Sequence, residues 1–362
     1  MNTPWTPRTP EELADAVRSA PRVVPAGGGT KPRLGAVDPA IQRVSLSRLS
    51  GLVEYDPGEF TFTARAGTPV RDIVAALAER GQCLPFDPPW LAGGSTLGGL
   101  VAGGVAGPGR FRFGGIRDFI LGVRFVDGAG RLLRLGGKVV KNAAGFDLPK
   151  FFTGSAGRFG ILAEATFKVF PRPASTLTLR IPAEGPAAAA GILMGLAATA
   201  WEPDALEVPS DGRGVVVRLA GPGPALETIA GKILARWQGE ILGAPAAAEF
   251  WTTLREFGWA AAGAALARVA ILPTRMEALA GALRTVPGAR CHVGAGGHVA
   301  FVALATPEAI GMLDAGLAAL GLSGMLLRGS GPLWLGVRTR PEIAAGVKRA
   351  LDPEGRFPGL DD

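Results

Sequence analysis

Apolar and polar positions along this chain alternate with two periods, near 3.6 and near 2, and each change of period marks an element. Thr9-Pro-Glu-Glu12 opens a helix that runs to about residue 19: Thr9 is its N-cap, Pro10 suits the first helical position and Glu12 closes a capping box. Residues 22–25 read as a strand that feeds a glycine loop. Segments 51–55 and 60–66 read as paired strands around the turn Asp56-Pro-Gly-Glu59. Thr68-Pro69 caps a helix ending near Arg80, with Gly81 just beyond it. A short helix spans about 95–103. Segments 119–126 and 131–135 flank Asp127-Gly-Ala-Gly130 as a hairpin. One or two helical turns at 147–153 and a strand at 161–170 lead to Pro171-Arg-Pro173, the expected domain boundary.

Beyond residue 174 the texture changes. Strands are expected near 176–181, 205–208, 215–219, 268–272, 291–293 and 298–304, separated by Ala-rich helical stretches. Two β-α-β-like halves covering an antiparallel sheet account for that order. Segment 340–359 reads as a short helix followed by Asp352-Pro-Glu-Gly355, packing back on the first domain. At 362 residues the chain exceeds what one core supports. The expected division is 1–172, then 173–339, then a C-terminal segment 340–362.

Three glycine-rich stretches punctuate the first half. They are Pro25-Ala-Gly-Gly-Gly-Thr30, Gly93-Gly-Ser-Thr-Leu-Gly-Gly-Leu-Val-Ala-Gly-Gly104, and Lys141-Asn-Ala-Ala-Gly-Phe-Asp-Leu148 running on to Gly154-Ser-Ala-Gly-Arg-Phe-Gly-Ile161. Glycine lets backbone approach a ligand closely and leaves successive N–H groups free to meet an anion. Alone, each has a plainer reading as a turn or a close helix contact, and Asp147 as an ordinary N-cap. Together they describe a backbone cradle around a large phosphorylated cofactor. A dinucleotide-binding βαβ unit needs Gly-x-Gly-x-x-Gly between strand and helix, and residues 27–35 supply glycines at the wrong spacing.

Composition narrows the partners. Apolar residues make up 48% of the chain, enough for sizeable cores, and its 54 glycines and 30 prolines are interleaved rather than gathered into low-complexity tracts. The net charge of +7 is uneven: residues 1–172 carry +8 and the remainder −1. Those charges are scattered, with no basic run or aromatic ladder, which argues against nucleic acid. A diphosphate ligand explains the same bias. Cys83 and Cys291 are the only cysteines and lie far apart, so no iron–sulfur ligand set, zinc knuckle or disulfide framework is expected, and no metal site. Residues 1–5 carry no secretory pattern, and the apolar stretches 187–200 and 259–273 are too short to span a bilayer. The expectation is a soluble cytoplasmic protein, reaching the inner face of a membrane only through partners.

With these three loops the chain resembles the flavin-binding fold of the vanillyl-alcohol oxidase/p-cresol methylhydroxylase (PCMH) superfamily. Within it, Lys138-Val-Val-Lys-Asn-Ala-Ala-Gly-Phe-Asp-Leu-Pro-Lys150 is most similar to the FAD-binding E-subunit family of bacterial glycolate oxidases. The resemblance covers about residues 9–172 well and the rest more loosely. It implies an α+β fold: a PCMH-type FAD-binding domain of two α/β subdomains, then a smaller α+β cap domain with an antiparallel sheet. It implies that Ala26, Gly27, Gly28, Gly29 and Thr30 hold the FAD diphosphate, and that Gly93, Gly94, Ser95, Thr96, Gly98 and Gly99 line the diphosphate and ribityl chain. Lys141, Asn142, Gly145 and Asp147, with Gly154, Gly157, Gly160 and Ile161, would close over the adenine and the flavin ring.

Some relatives attach FAD covalently through a histidine. Here the only histidines, His292 and His298, lie in the second domain, so non-covalent FAD is expected. Catalytic relatives resemble one another in a His-x-Gly-Asp-Gly-Asn-x-His segment and a later Glu-His-Gly. The comparable stretch here, His292-Val-Gly-Ala-Gly-Gly-His298, has lost the acidic and amide positions, and its second histidine sits one residue early. His292 and His298 therefore read as structural or surface residues, or as a base near the flavin. Arg110, Arg112 and Arg117 are candidates to clamp a carboxylate. The resemblance implies a subunit of a multi-subunit 2-hydroxy-acid oxidase, with a sister FAD subunit and an iron–sulfur subunit as partners and a small 2-hydroxy acid as substrate. A self-sufficient dehydrogenase and a structural subunit with non-redox FAD are the alternatives.

Overall fold

A computed structural model describes residues 3–137 and 147–362. The chain forms two compact units. The first contains residues up to Val105, Gly115–Arg172 and Thr339–Asp362; the second contains Ala106–Gly114 and Pro173–Arg338.

The first unit opens with the helix Pro10–Ser19, capped by Thr9, whose side chain accepts from Glu12 N. The Glu12 carboxylate reaches one residue further back than a capping box requires, accepting from Arg8 N at 2.7 Å. The strand Val23–Ala26 pairs in parallel with Gln42–Ser45. That partner is not predicted from the alternation, because the sequence Gln-Arg-Val-Ser is mostly polar. A five-stranded antiparallel sheet follows, in the order Leu52–Asp56, Thr61–Arg65, Ile161–Lys168, Ile120–Val126, Leu132–Gly136. Register is pinned on one face by Thr63 opposite Thr166, whose hydroxyls hydrogen-bond at 2.8 Å, and on the other by Phe62 stacked on Phe167 at 5.7 Å. Phe86 packs against both Phe119 and Phe167 to extend that core.

Thr68 does not cap the helix Val70–Ala78; its hydroxyl donates to Arg65 O and Gly51 O, bracing a corner of the sheet. The helix Leu97–Gly103 is capped by Thr96, one residue later than a start at 95, because Thr96 Oγ1 meets Gly99 N. Asp147 caps Leu148–Phe151 through Lys150 N.

The second unit carries two antiparallel sheets where one is expected. One has the order Ala205–Glu207, Val215–Gly221, Ser175–Ile181, Glu240–Ile241; the other Arg290–Gly294, Val299–Leu304, Ala265–Ala270, Ser323–Arg328, Trp334–Gly336. Leu179 and Val217 of the first, Val269 and Val302 of the second, and Leu193 and Leu279 of the helices Gly185–Ala197 and Met276–Leu283 are all buried in one cluster. Each strand pair therefore shares its apolar face with helices rather than with solvent. Ala106–Gly114 lies in this unit although the division at 172 groups it with the first. The reason is local: Gly296 has no side chain where the Phe111 ring sits, and Arg112 donates to the Glu202 carboxylate at 2.7 Å. Arg112 is thus committed to a carboxylate of its own chain.

Thr339–Asp362 belongs to the first unit. After the helix Pro341–Leu351, buried Asp352 accepts from Arg356 N and Phe357 N and closes a tight turn. Phe357 is fully buried, and the Arg356 guanidinium donates to the carbonyls of Val17, Arg18 and Ala20 at the end of the first helix. No helix among the described residues is long and apolar enough to cross a membrane.

Candidate cofactor site

Two glycine loops of the first unit meet backbone to backbone. A Cβ on Gly28 would collide with Gly94 O, and one on Gly27 would stand 2.5 Å from Thr96 Oγ1. The third loop joins them through the end of the helix Leu97–Gly103. Gly154 N donates to Val101 O and Ala156 N to Ala102 O, each at 2.9 Å, which satisfies carbonyls near the helix end. Gly157, at φ +73°, lets the chain turn against the Pro25 ring.

Between these loops lies a cavity of about 450 Å³, within the size range of small-molecule sites. Of the residues singled out by sequence, Ala26, Gly27, Gly28, Gly29 and Thr30 line it, as do Thr96, Gly98 and Gly99, and Gly157, Gly160 and Ile161. Gly93, Gly94, Ser95, Gly154 and Asp147 do not. Gly94 and Gly154 shape the loops behind the wall, Ser95 is buried beneath it, and Asp147 is an exposed N-cap paired with Lys150. Lys141, Asn142 and Gly145 lie outside the described residues.

Sequence reasoning missed Lys31, Arg43, Ser155 and the Pro32, Leu34, Gly35 and Ala36 stretch, which also line it. Lys31 follows the glycine loop directly, and a lysine next to a run of backbone N–H groups is the signal that was available. Among the described residues, Lys31 and Arg43 are the only charged ones in the lining, and both are cations. Arg43 is held by a hydrogen bond to Gly35 O.

The donor set suits an anionic cofactor. Among the described residues, the N–H groups of Gly27, Gly28, Gly29 and Thr30 donate to no protein acceptor, and Gly27, Gly28 and Gly29 are exposed, so an anion can reach them. Gly29 has φ +72° and open space where a Cβ would project. Buried Ser95 Oγ also lacks a partner. Unmet amides, two cations and no carboxylate fit the diphosphate of FAD.

The two histidines lie in the second unit. His292 is 2% exposed and its Nε2 bonds Glu207 Oε2 at 2.6 Å; Glu207 Oε1 also accepts from Ala295 N. His292 Nδ1 is buried without a partner. The exposed His298 ring bonds Ala295 O through Nδ1 at 3.0 Å. Neither carries a metal-ligand set: among the described residues no three His, Cys, Asp or Glu side chains gather closely enough to hold an ion.

Known proteins place this arrangement. Residues 5–136 match a family model described as an FAD binding domain. The chain is 44% identical over 170 residues to glycolate oxidase subunit GlcE of Escherichia coli, covering 47% of this chain and 48% of that one. It is 35% identical over 194 residues to D-2-hydroxyglutarate dehydrogenase of Xanthomonas citri, covering 49% and 41%, and 32% identical over 187 residues to glycolate oxidase subunit GlcD of Bacillus subtilis, covering 51% and 39%. The chain thus spans about half or less of the length of these relatives. Among solved structures, an alkyldihydroxyacetonephosphate synthase superposes with a TM-score of 0.70 over 98% of this chain and 77% of its own, at 18% identity. That likeness establishes the mixed α+β fold. The chain carries an FAD-binding domain and is related to FAD-dependent oxidoreductases.

Proposed function

We propose that this chain is the FAD-binding subunit of a multi-subunit 2-hydroxy-acid oxidase acting on glycolate, and that it passes electrons within that complex through non-covalent FAD. What carries this reading is the cavity wall: three glycine loops and, among the described residues, four N–H groups with no protein acceptor and no charge but Lys31 and Arg43. The likeness to a glycolate oxidase subunit supports the substrate class.

Bound FAD would supply a two-electron acceptor for the hydride leaving the hydroxyl-bearing carbon. The residues of this chain do the holding. Gly27–Thr30 would present amides to the diphosphate, Ala26, Thr96, Gly98 and Gly99 would line it, Lys31 and Arg43 would balance its charge, and the loop through Gly157 to Ile161 would shield it from water. Oxidising a 2-hydroxy acid also needs a base for the hydroxyl proton. His292 is committed to Glu207 and His298 is an exposed residue tied to a carbonyl. The acidic and amide positions that catalytic relatives carry between these histidines are Ala295 and Gly297 here, which favours a subunit that relies on partners over a self-sufficient dehydrogenase. The partners of the reading are a sister FAD subunit and an iron–sulfur subunit, since two distant cysteines cannot hold a cluster. Membrane contact, where there is any, would come through them.

The visible spectrum of the purified chain tests the cofactor: flavin bands are expected, and acid precipitation should leave the pellet colourless. Anaerobic glycolate separates the functional readings. Bleaching only after the sister subunits are added supports the subunit; rapid bleaching of the chain alone supports the self-sufficient enzyme; a flavin that never bleaches in the complex leaves a structural role.

A further inference from the structure

Lys31 is 7% exposed, yet it is a cation in the cavity wall. Its ammonium donates to Thr30 Oγ1 at 2.9 Å and stands 4.8 Å from the centre of the Trp90 ring. Its stem fills the place of a side chain on the helix Leu97–Gly103: a Cβ on Gly103 would approach its Cδ and Cε to 2.6 Å.

Among the described residues no carboxylate pairs with Lys31; an acid in this region, Asp362, acts on Arg33 and Arg158 instead. The helix Leu97–Gly103 has no titratable side chain. The turn Pro32–Gly35 contributes Arg33, the strand Gln42–Ser45 contributes Arg43, and the third loop leads into buried Arg158, all cations. The loop that carries Trp90 holds one acidic residue, Asp87, which forms no ion pair with Lys31. A buried ammonium without a carboxylate is costly, so burial favours the neutral amine until an anion comes close.

We propose that Lys31 is the cation which this cavity offers to the diphosphate of FAD, and that its amine takes up a proton as the cofactor binds. The inference rests on the reading of the cavity as an FAD site. Burial lowers the Lys31 ammonium to about 7 in the empty cavity. At neutral pH the amine is therefore part neutral, held by Thr30. The arriving dianion favours the charged form, so one proton moves from solvent to Nζ and no other bond changes. An arginine here would stay charged throughout and bind without proton exchange.

The chain, stripped of flavin, would be titrated with FAD from pH 6.5 to 9, following flavin fluorescence and the heat of binding in two buffers of different ionisation enthalpy. Uptake of about half a proton at pH 7 and nearly one at pH 8 is expected, with Kd rising up to about tenfold per pH unit above 7. Riboflavin, which has no phosphate, should take up none. Lys31→Met keeps the apolar stem and should bind FAD at least about tenfold more weakly at pH 6.5, with a flat pH profile; Lys31→Arg should bind tightly with an equally flat profile. FAD binding to the unaltered chain without proton uptake, or equal uptake with riboflavin, overturns the role of Lys31 and leaves the FAD site standing. Failure to bind any flavin at any pH removes both.

Discussion

Gly28 and Gly94, 66 positions apart in sequence, touch through backbone alone: the side chain that Gly28 lacks would occupy the place of the Gly94 carbonyl oxygen. Neither loop can retreat, because Gly94 is itself at φ +82° and Ser95 N is tied to Trp90 O. Gly28→Ala must therefore separate the loops that form the cavity wall. Gly29 is different, with φ +72° and open space around it. Gly29→Ala should cost about 1–2 kcal/mol of backbone strain and mainly lower FAD affinity, whereas Gly28→Ala should lower the melting temperature and abolish flavin binding. Melting curves and flavin fluorescence on the two variants check the contrast. Equal behaviour would mean that the loop contact does not shape the site.

Lys31 also makes the flavin-free fold pH-dependent. Its folded-state value of about 7 lies below the ordinary lysine value, so between those limits the unfolded chain binds more protons than the folded one. Stability must then rise with pH, by about 1 kcal/mol per pH unit between pH 7 and 9. Urea denaturation of the stripped protein should show that slope, and Lys31→Met should remove it. A flat profile in the unaltered chain would mean that Lys31 is not desolvated.

The parts legible in sequence are the ones set by neighbours a few residues apart. Thr9 with Glu12, Asp147 with Lys150 and the glycine runs are local chemistry, and local chemistry reads directly from the chain. Lys31 was adjacent to the first loop and still overlooked, because what buries it is Gly103, 72 residues later. The strand Gln42–Ser45 has no alternation of its own and exists by pairing with Val23–Ala26. Phe111 and Arg112 follow the second loop in sequence but pack against Gly296 and Glu202. In the second unit the Ala-rich helices conceal that two sheets, not one, share the apolar cluster.

Glu207 and His292 form a buried pair that should behave as a unit. Glu207 Oε1 and Oε2 meet Ala295 N and His292 Nε2, and Gly294 has no side chain because the carboxylate occupies that space. Removing one member strands the other without water. Glu207→Ala or His292→Ala should each cost about 3–5 kcal/mol, while Glu207→Leu combined with His292→Leu should cost less than either. Denaturation midpoints of the three variants test this. Additive losses would mean that the two side chains are not energetically coupled.

The C-terminal segment should be held by its buried turn and not by its surface charges. Asp352 is 3% exposed and accepts from Arg356 N, Phe357 N and the Lys348 ammonium, which also donates to Arg158 O and Pro358 O. Asp352→Ala would orphan two amides and leave a half-buried ammonium facing carbonyls alone, for an expected loss of about 3 kcal/mol or more. Phe357→Ala would empty a fully buried site at about 3–5 kcal/mol. The ion pair of Arg356 with Glu354 is half exposed on the carboxylate side, so Glu354→Ala should change stability by only about 0.5 kcal/mol. Limited proteolysis and melting curves separate these cases. A Glu354 variant as damaging as Asp352→Ala would show that charge pairing at the surface, and not the capped turn, keeps the segment in place.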